Sequence, residues 1–214
     1  MRISIWRCTT ICCIILLIAG CGSSSGREQK SAETGIRSDT VLVVDLGLYN
    51  NQLLHKVGKQ ITLYYGLPVV FKSHSLPKSA FLPARARYDA PSLLQELKSL
   101  HLPQYRFVAG LTASDISMPK NSTPDFGIFG LGSMDGGSCI SSIKRLKKNA
   151  NQHQLEDRIF KVVLHEIGHN YGVPHCTNNL PCFMKDAKAK ISTVDNEPMD
   201  MCASCKKKMK IKHQ

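Results

Sequence analysis

The sequence predicts an α/β fold of the mixed, α+β kind, a twisted sheet with helices packed against it, and three observations predict it. Short β-branched apolar runs alternate with segments of helical periodicity between Val41 and Thr112. Two further apolar runs, separated by Gly136-Gly137, predict an antiparallel edge. A long amphipathic helix follows, and beyond it the chain turns irregular, cysteine-bearing and basic. With 214 residues, 43% hydrophobic and 21% charged, the composition suits a packed domain and excludes a disordered chain.

Taken in order, Val41-Leu42-Val43-Val44-Asp45-Leu46 reads as a strand buried on both faces. Residues 50–65 carry Leu53, Leu54, Val57, Ile61 and Tyr64 at helical spacing, with Gly58 as a weak point. Pro68 to Phe71 predicts a second strand, and the Pro-, Ser- and Arg-rich stretch 73–87 a loop. Leucines at 93, 94, 97 and 100 predict a helix that ends before Pro103. Strands are expected over 105–112, 125–131 and 138–143. Glu156 to Tyr171 is the clearest helix, with Ile159, Val162, Val163, Ile167 and Tyr171 on its apolar face.

The first twenty residues are not expected to join the fold. Arg2 and Arg7 precede the short apolar run Ile11 to Ile18, and Ile18-Ala19-Gly20-Cys21 sets a cysteine directly after small residues. This resembles the lipobox of bacterial lipoproteins, which implies a signal peptide over 1–20, lipidation of Cys21, and a membrane-anchored protein of the bacterial cell envelope. Residues 21–39 are Ser/Gly-rich and polar, as in a flexible tether. The domain is then expected over 40–206 and a basic tail over 207–214. The formal charge of +12 gathers partly in Lys144, Arg145, Lys147 and Lys148 and partly in the C-terminal lysines. No aromatic residues alternate with these cations, so no nucleic-acid partner is expected.

The chemistry lies in His165-Glu166-Ile167-Gly168-His169. Two histidines four apart project from one face of a helix and can reach a single ion. Gly172 offers a helix stop and Pro174 discourages resumption, so the reversed chain can bring back His175. Three neutral imidazoles leave the fourth corner of a tetrahedron for water, as catalytic zinc requires. Glu166 stands beside that water as general base, taking its proton and passing it to the leaving nitrogen. Coincidence of these five residues at these offsets is on the order of one in ten thousand by chance.

His165 to His175 matches HExxHxxGxxH, the metzincin signature. Cys176 follows, then Cys182-Phe183-Met184, then Cys202-Ala203-Ser204-Cys205. This order resembles the archaemetzincins over about residues 41–206. One departure is a single extra residue between Cys176 and Cys182, expected as a loop insertion. The resemblance implies a metzincin-like sheet, a zinc peptidase (endopeptidase or aminopeptidase) acting as a monomer on peptide or protein substrates, and Met184 as the methionine turn beneath the zinc. Met199 and Met201 are weaker choices, and a core methionine is the plain alternative. It also implies a second, structural zinc on Cys176, Cys182, Cys202 and Cys205, stapling a small C-terminal part. The CxxC spacing supports that zinc independently. Disulfides are the competing reading in an exported protein, although a CxxC disulfide is strained and labile. The region 125–143 is expected to supply an edge strand that aligns extended peptides. A non-catalytic, zinc-stabilised, peptide-binding surface lipoprotein is the alternative function. Glu166 argues against it, since binding zinc does not need that carboxylate.

Overall fold

The computed structural model describes residues 39–134 and 136–210. The expected signal peptide and Cys21 lie outside the described residues, as do the tether up to residue 38 and residues 211–214 of the tail.

Strand β1 (Thr40–Asp45) lies inside a five-stranded sheet, between β2 (Val69–Ser73) and β5 (Tyr105–Thr112), parallel to both. That position explains its unbroken apolar run. Val41 and Val43 face helices α1 (Asn51–Tyr65) and α3 (Gln152–Asn170), whereas Leu42 and Val44 face α2 (Ala90–Ser99). The sheet is therefore covered on both faces, and the core divides into two clusters about it.

Helix α1 starts where Asn50 Oδ1 accepts from the Leu53 N–H at 2.9 Å and stops at left-handed Gly66. Gly58 at its middle is no flaw. A Cβ there would lie 2.5 Å from the Phe71 ring, so the glycine lets the helix close on β2. Asp89 caps α2 through the Ser92 N–H at 2.9 Å.

Several sequence expectations need correction. The stretch expected as a loop over 73–87 contains β3 (Phe81–Leu82), and β4 (Arg87–Asp89) begins at its end. These join β6 (Ile116–Lys120) and β7 (Thr123–Ile128) in a second sheet of order β3-β4-β6-β7. Strands this short, one of them carrying Pro119, leave no periodic signal. The strand expected over 125–131 is divided at buried Phe129, where the chain leaves β7 and enters β8 (Gly130–Gly132) at the edge of the main sheet. There β8 pairs antiparallel with β9 (Ser138–Ser142), which is the edge the two apolar runs predict.

Helix α3 begins four residues before the periodicity does. Asn151 and Gln154 form a reciprocal capping box, but the polar first turn carries no apolar face. The C-terminal part is not wholly irregular either. Helix α4 (Ile191–Asn196) is pinned to α3 by Arg158, which forks onto Asp195 at 2.7 and 2.9 Å, and by Lys161 on the Val194 carbonyl at 3.1 Å. The expected basic tail is helical to Lys210 in α5 (Ala203–Lys210). Among the described residues no helix is long and apolar enough to cross a membrane.

Candidate metal centre and catalytic cleft

Helix α3 ends two residues short of Gly172, which adopts φ +75°. The Gly172 N–H returns to the His169 carbonyl at 2.7 Å and the Val173 N–H to the Gly168 carbonyl at 3.0 Å. This reversal also orients a ligand, because the Val173 carbonyl accepts from His169 Nδ1 at 2.8 Å. His165 Nδ1 donates likewise to the Phe183 carbonyl at 2.6 Å. A carbonyl can only accept, so in each ring the proton sits on Nδ1 and the Nε2 lone pair points inward.

His175 completes the set, its Nε2 lying 3.3 Å from that of His169. The ligand atoms of all three rings lie within 4.8 Å of one another. Burial, with the neighbouring imidazoles adding to it, pushes His165 down to about 3 and His169 to about 4, and burial lowers His175 too. The rings are therefore neutral, as ligands must be. Zinc–nitrogen bonds of usual length give a tetrahedral edge of about 3.3–3.4 Å, which the His169–His175 spacing matches. The donor set fits zinc.

A second group lies beside the first. Cys176, Cys182, Cys202 and Cys205 bring their sulfurs within 4.8 Å of one another, with Cys176 and Cys202 3.7 Å apart. A tetrahedral zinc–thiolate site has an edge of about 3.8 Å. All five cysteines among the described residues are free, so none of the four is in a disulfide. The extra residue before Cys182 is absorbed without loss of its place in the group. The two groups touch through the chain itself: Cys176 follows His175, and Cys182 precedes the residue whose carbonyl holds His165.

Glu166 is buried against β8. A Cβ on Gly130 would lie 2.5 Å from its Oε1, and one on Gly132 would lie 2.6 Å from its carbonyl oxygen. Burial pushes this carboxyl up to about 8, partly offset by a hydrogen bond from the Gly132 backbone. Sequence reasoning missed both glycines. The available signal was Gly-x-Gly inside a short strand, which marks close approach of another group.

Met184 is fully buried beneath the helix, where a Cβ on Gly168 would meet its sulfur at 2.6 Å. Met201, ranked weaker from sequence, meets the same glycine at 2.9 Å, whereas Met199 is only half-buried. Cys139 is buried on β9 away from the cysteine group. Of the other histidines, His55 packs on Phe71, His74 pairs with Glu96, and His101 meets the Arg106 carbonyl.

The histidines open into a cavity of about 530 Å³. Its apolar walls include Phe126, Ile128, Val162 and Val194, contributed by β7, α3 and α4. The sequence did not identify this lining.

Comparison with known proteins agrees with this geometry. The model of Peptidase family M54 matches residues 46–211. The chain is 30% identical over 138 residues to the archaemetzincin of Aeropyrum pernix, covering 64% of this chain and 73% of that one. It is 29% identical over 177 residues to that of Saccharolobus solfataricus, covering 79% and 92%. Among solved structures, the archaemetzincin of Methanopyrus kandleri superposes with TM-score 0.72 at 23% identity, over 82% of this chain and 95% of that one. A zinc-dependent peptidase from Methanocorpusculum labreanum gives 0.67 at 24% identity, over 79% and 99%. The superpositions establish the mixed α/β fold.

Proposed function

This chain belongs to peptidase family M54, the archaemetzincins, and from that premise we propose that it hydrolyses peptide bonds with Glu166 as general base beside a zinc on His165, His169 and His175. As a member of the family it is a zinc metallopeptidase whose substrates are peptides. Zinc in such a site supplies Lewis acidity, lowering the pKa of water and polarising a carbonyl.

The chain's own residues do the rest. Glu166 takes a proton from the attacking water, the water oxygen bonds to the peptide carbon, and the same proton leaves on the departing nitrogen as the C–N bond breaks. Burial makes this carboxylate a stronger proton acceptor than an exposed glutamate. Strand β8 is the outer strand of its sheet and its glycines pack on Glu166, so an extended peptide could add to the sheet beside the metal site with little demand on sequence. The apolar cavity would then receive a large side chain next to the bond cleaved.

We further propose that the four cysteines hold a second, structural zinc, supported by the 3.7 Å sulfur spacing, and that Met184 floors the catalytic site. Lipidation at Cys21, and with it an envelope location, is supported by Ile18-Ala19-Gly20-Cys21 and the polar stretch after it. Mass spectrometry of the membrane-extracted N-terminus tests that proposal: an unmodified Cys21 would refute it.

The observation that carries the catalytic reading is the buried Glu166 carboxylate, clasped by β8 one residue from His165. Glu166→Gln tests it. Zinc content should stay unchanged while peptide hydrolysis falls by about a thousandfold or more, within the range of lost general-base catalysis. Retention of both zinc and hydrolysis would sink the proposal.

A further inference from the structure

A second cavity, of about 610 Å³, adjoins the catalytic one and shares Phe129 and Ala189 with it as common walls. Its character is different. Lys144, Arg145, Lys148 and Arg158 line it against one carboxylate, Asp115.

These cations differ in how far their charge is already matched. Arg158 spends its donors on Asp195 and on the carbonyls of Leu146 and Lys148. Arg145 forks onto Asp115 at 2.7 and 3.0 Å, and Arg87 reaches the same carboxylate at 2.8 Å and that of Asp125 at 3.8 Å, so both arginines are already matched. Lys144 and Lys148 are exposed, and among the described residues their ammonium groups have no carboxylate partner. The cavity therefore carries uncompensated positive charge beside a catalytic cavity whose own lining mixes apolar residues with Lys120, Lys185, Lys188, Asp186 and Glu197.

Its distance from the metal centre can be read along α3. Arg158 precedes His165 by seven residues, which is about 10 Å of helix. An extended peptide covers that span in about three residues.

We infer that this cationic cavity is a substrate subsite, selecting peptides with Asp or Glu about three residues from the bond cleaved. The inference rests on the peptidase reading. Exposed ion pairs contribute a factor of a few each, so two unpaired lysines predict a preference of about threefold to tenfold, weakened by salt.

The test uses the zinc-loaded protein and quenched fluorescent peptides identical except for Glu or Gln at the third position on either side of the cleaved bond. The Glu/Gln ratio of kcat/KM should be about three to ten on one side, expressed in KM, and should fall towards one in high salt. Lys144→Glu with Lys148→Glu should abolish or invert that ratio, while Lys59→Glu, a charge reversal at an exposed position of α1, should not move it. The ratio is internal to each variant, so a loss of folded protein cannot imitate the effect. A ratio of one in the parent protein, or one unmoved by the double reversal, overturns the subsite and leaves the peptidase reading intact. The same peptides are also titrated by fluorescence anisotropy. Charge-selective binding with no hydrolysis of any peptide would support the subsite and overturn the peptidase reading; neither binding nor hydrolysis would overturn the subsite as well.

Discussion

Replacing Gly130 by alanine probes the contact that joins β8 to the proposed base. The new Cβ would lie 2.5 Å from Glu166 Oε1 and 2.7 Å from its Cγ, against 3.4 Å for ordinary contact, so the carboxylate must retreat by about 0.9 Å. The three nearest atoms all belong to Glu166, and none to a histidine. A flexible side chain can yield, so the cost to folding is small. The cost to chemistry is not, because a misplacement of 1 Å at reacting groups lowers rates by about a hundredfold, or about 2.7 kcal/mol in the barrier. The expected result is kcat/KM reduced about a hundredfold with zinc content unchanged, measured on a fluorogenic peptide alongside metal analysis. In a Glu166→Gln background the same substitution should add little, since the displaced group is already disabled. Activity of Gly130→Ala within threefold of the parent, with zinc intact, would refute the reasoning.

Two further outcomes are expected. Opening the cysteine group with Cys202→Ser and Cys205→Ser should lower bound zinc from two per chain to one. It should also weaken the histidine site about ten- to a hundredfold, since Cys182 anchors the segment whose Phe183 carbonyl orients His165. Cobalt substitution reads both sites at once, and an unchanged histidine site would dismiss the coupling. In the metal-free protein, His165 and His169 have folded pKa values below the usual 6.5, so their contribution to stability is full above about 6.5 and is lost as pH falls towards 3 to 4. Glu166 behaves oppositely: raised from 4.5, it contributes fully below about 4.5, and this is lost as pH rises through about 8. Thermal unfolding of chelated protein should therefore show both limbs, and Glu166→Gln should remove only the alkaline one.

The parts legible in sequence were those with a local period. Val41 to Asp45 and Leu53 to Ile61 formed the elements their spacing predicts, since burial of one stripe or of a whole strand writes itself into residue order. Where side chains carried no period, the reading stopped. The first turn of α3 is polar, β3 is two residues long, and Phe129 divides what reads as one strand. Gly58 reads as helix weakness, yet it is the point at which α1 meets Phe71. Arg158 and Lys161 carry no sign in the sequence of their role, which is to pin α4 over the cleft.

The same boundary runs through the site. By itself the sequence determined which groups could hold metal: histidines four apart share a helix face, Gly172 and Pro174 turn the chain back, and CxxC sets two thiolates side by side. These relations span a few residues and follow from backbone geometry alone. Only the tertiary structure decided what surrounds them. Gly130 meets Glu166 across 36 positions, Phe183 holds His165 across 18, and the cationic cavity gathers residues from Asp115 to Ile191. Contacts at such separations depend on how the sheets and helices pack, which no single residue pattern records.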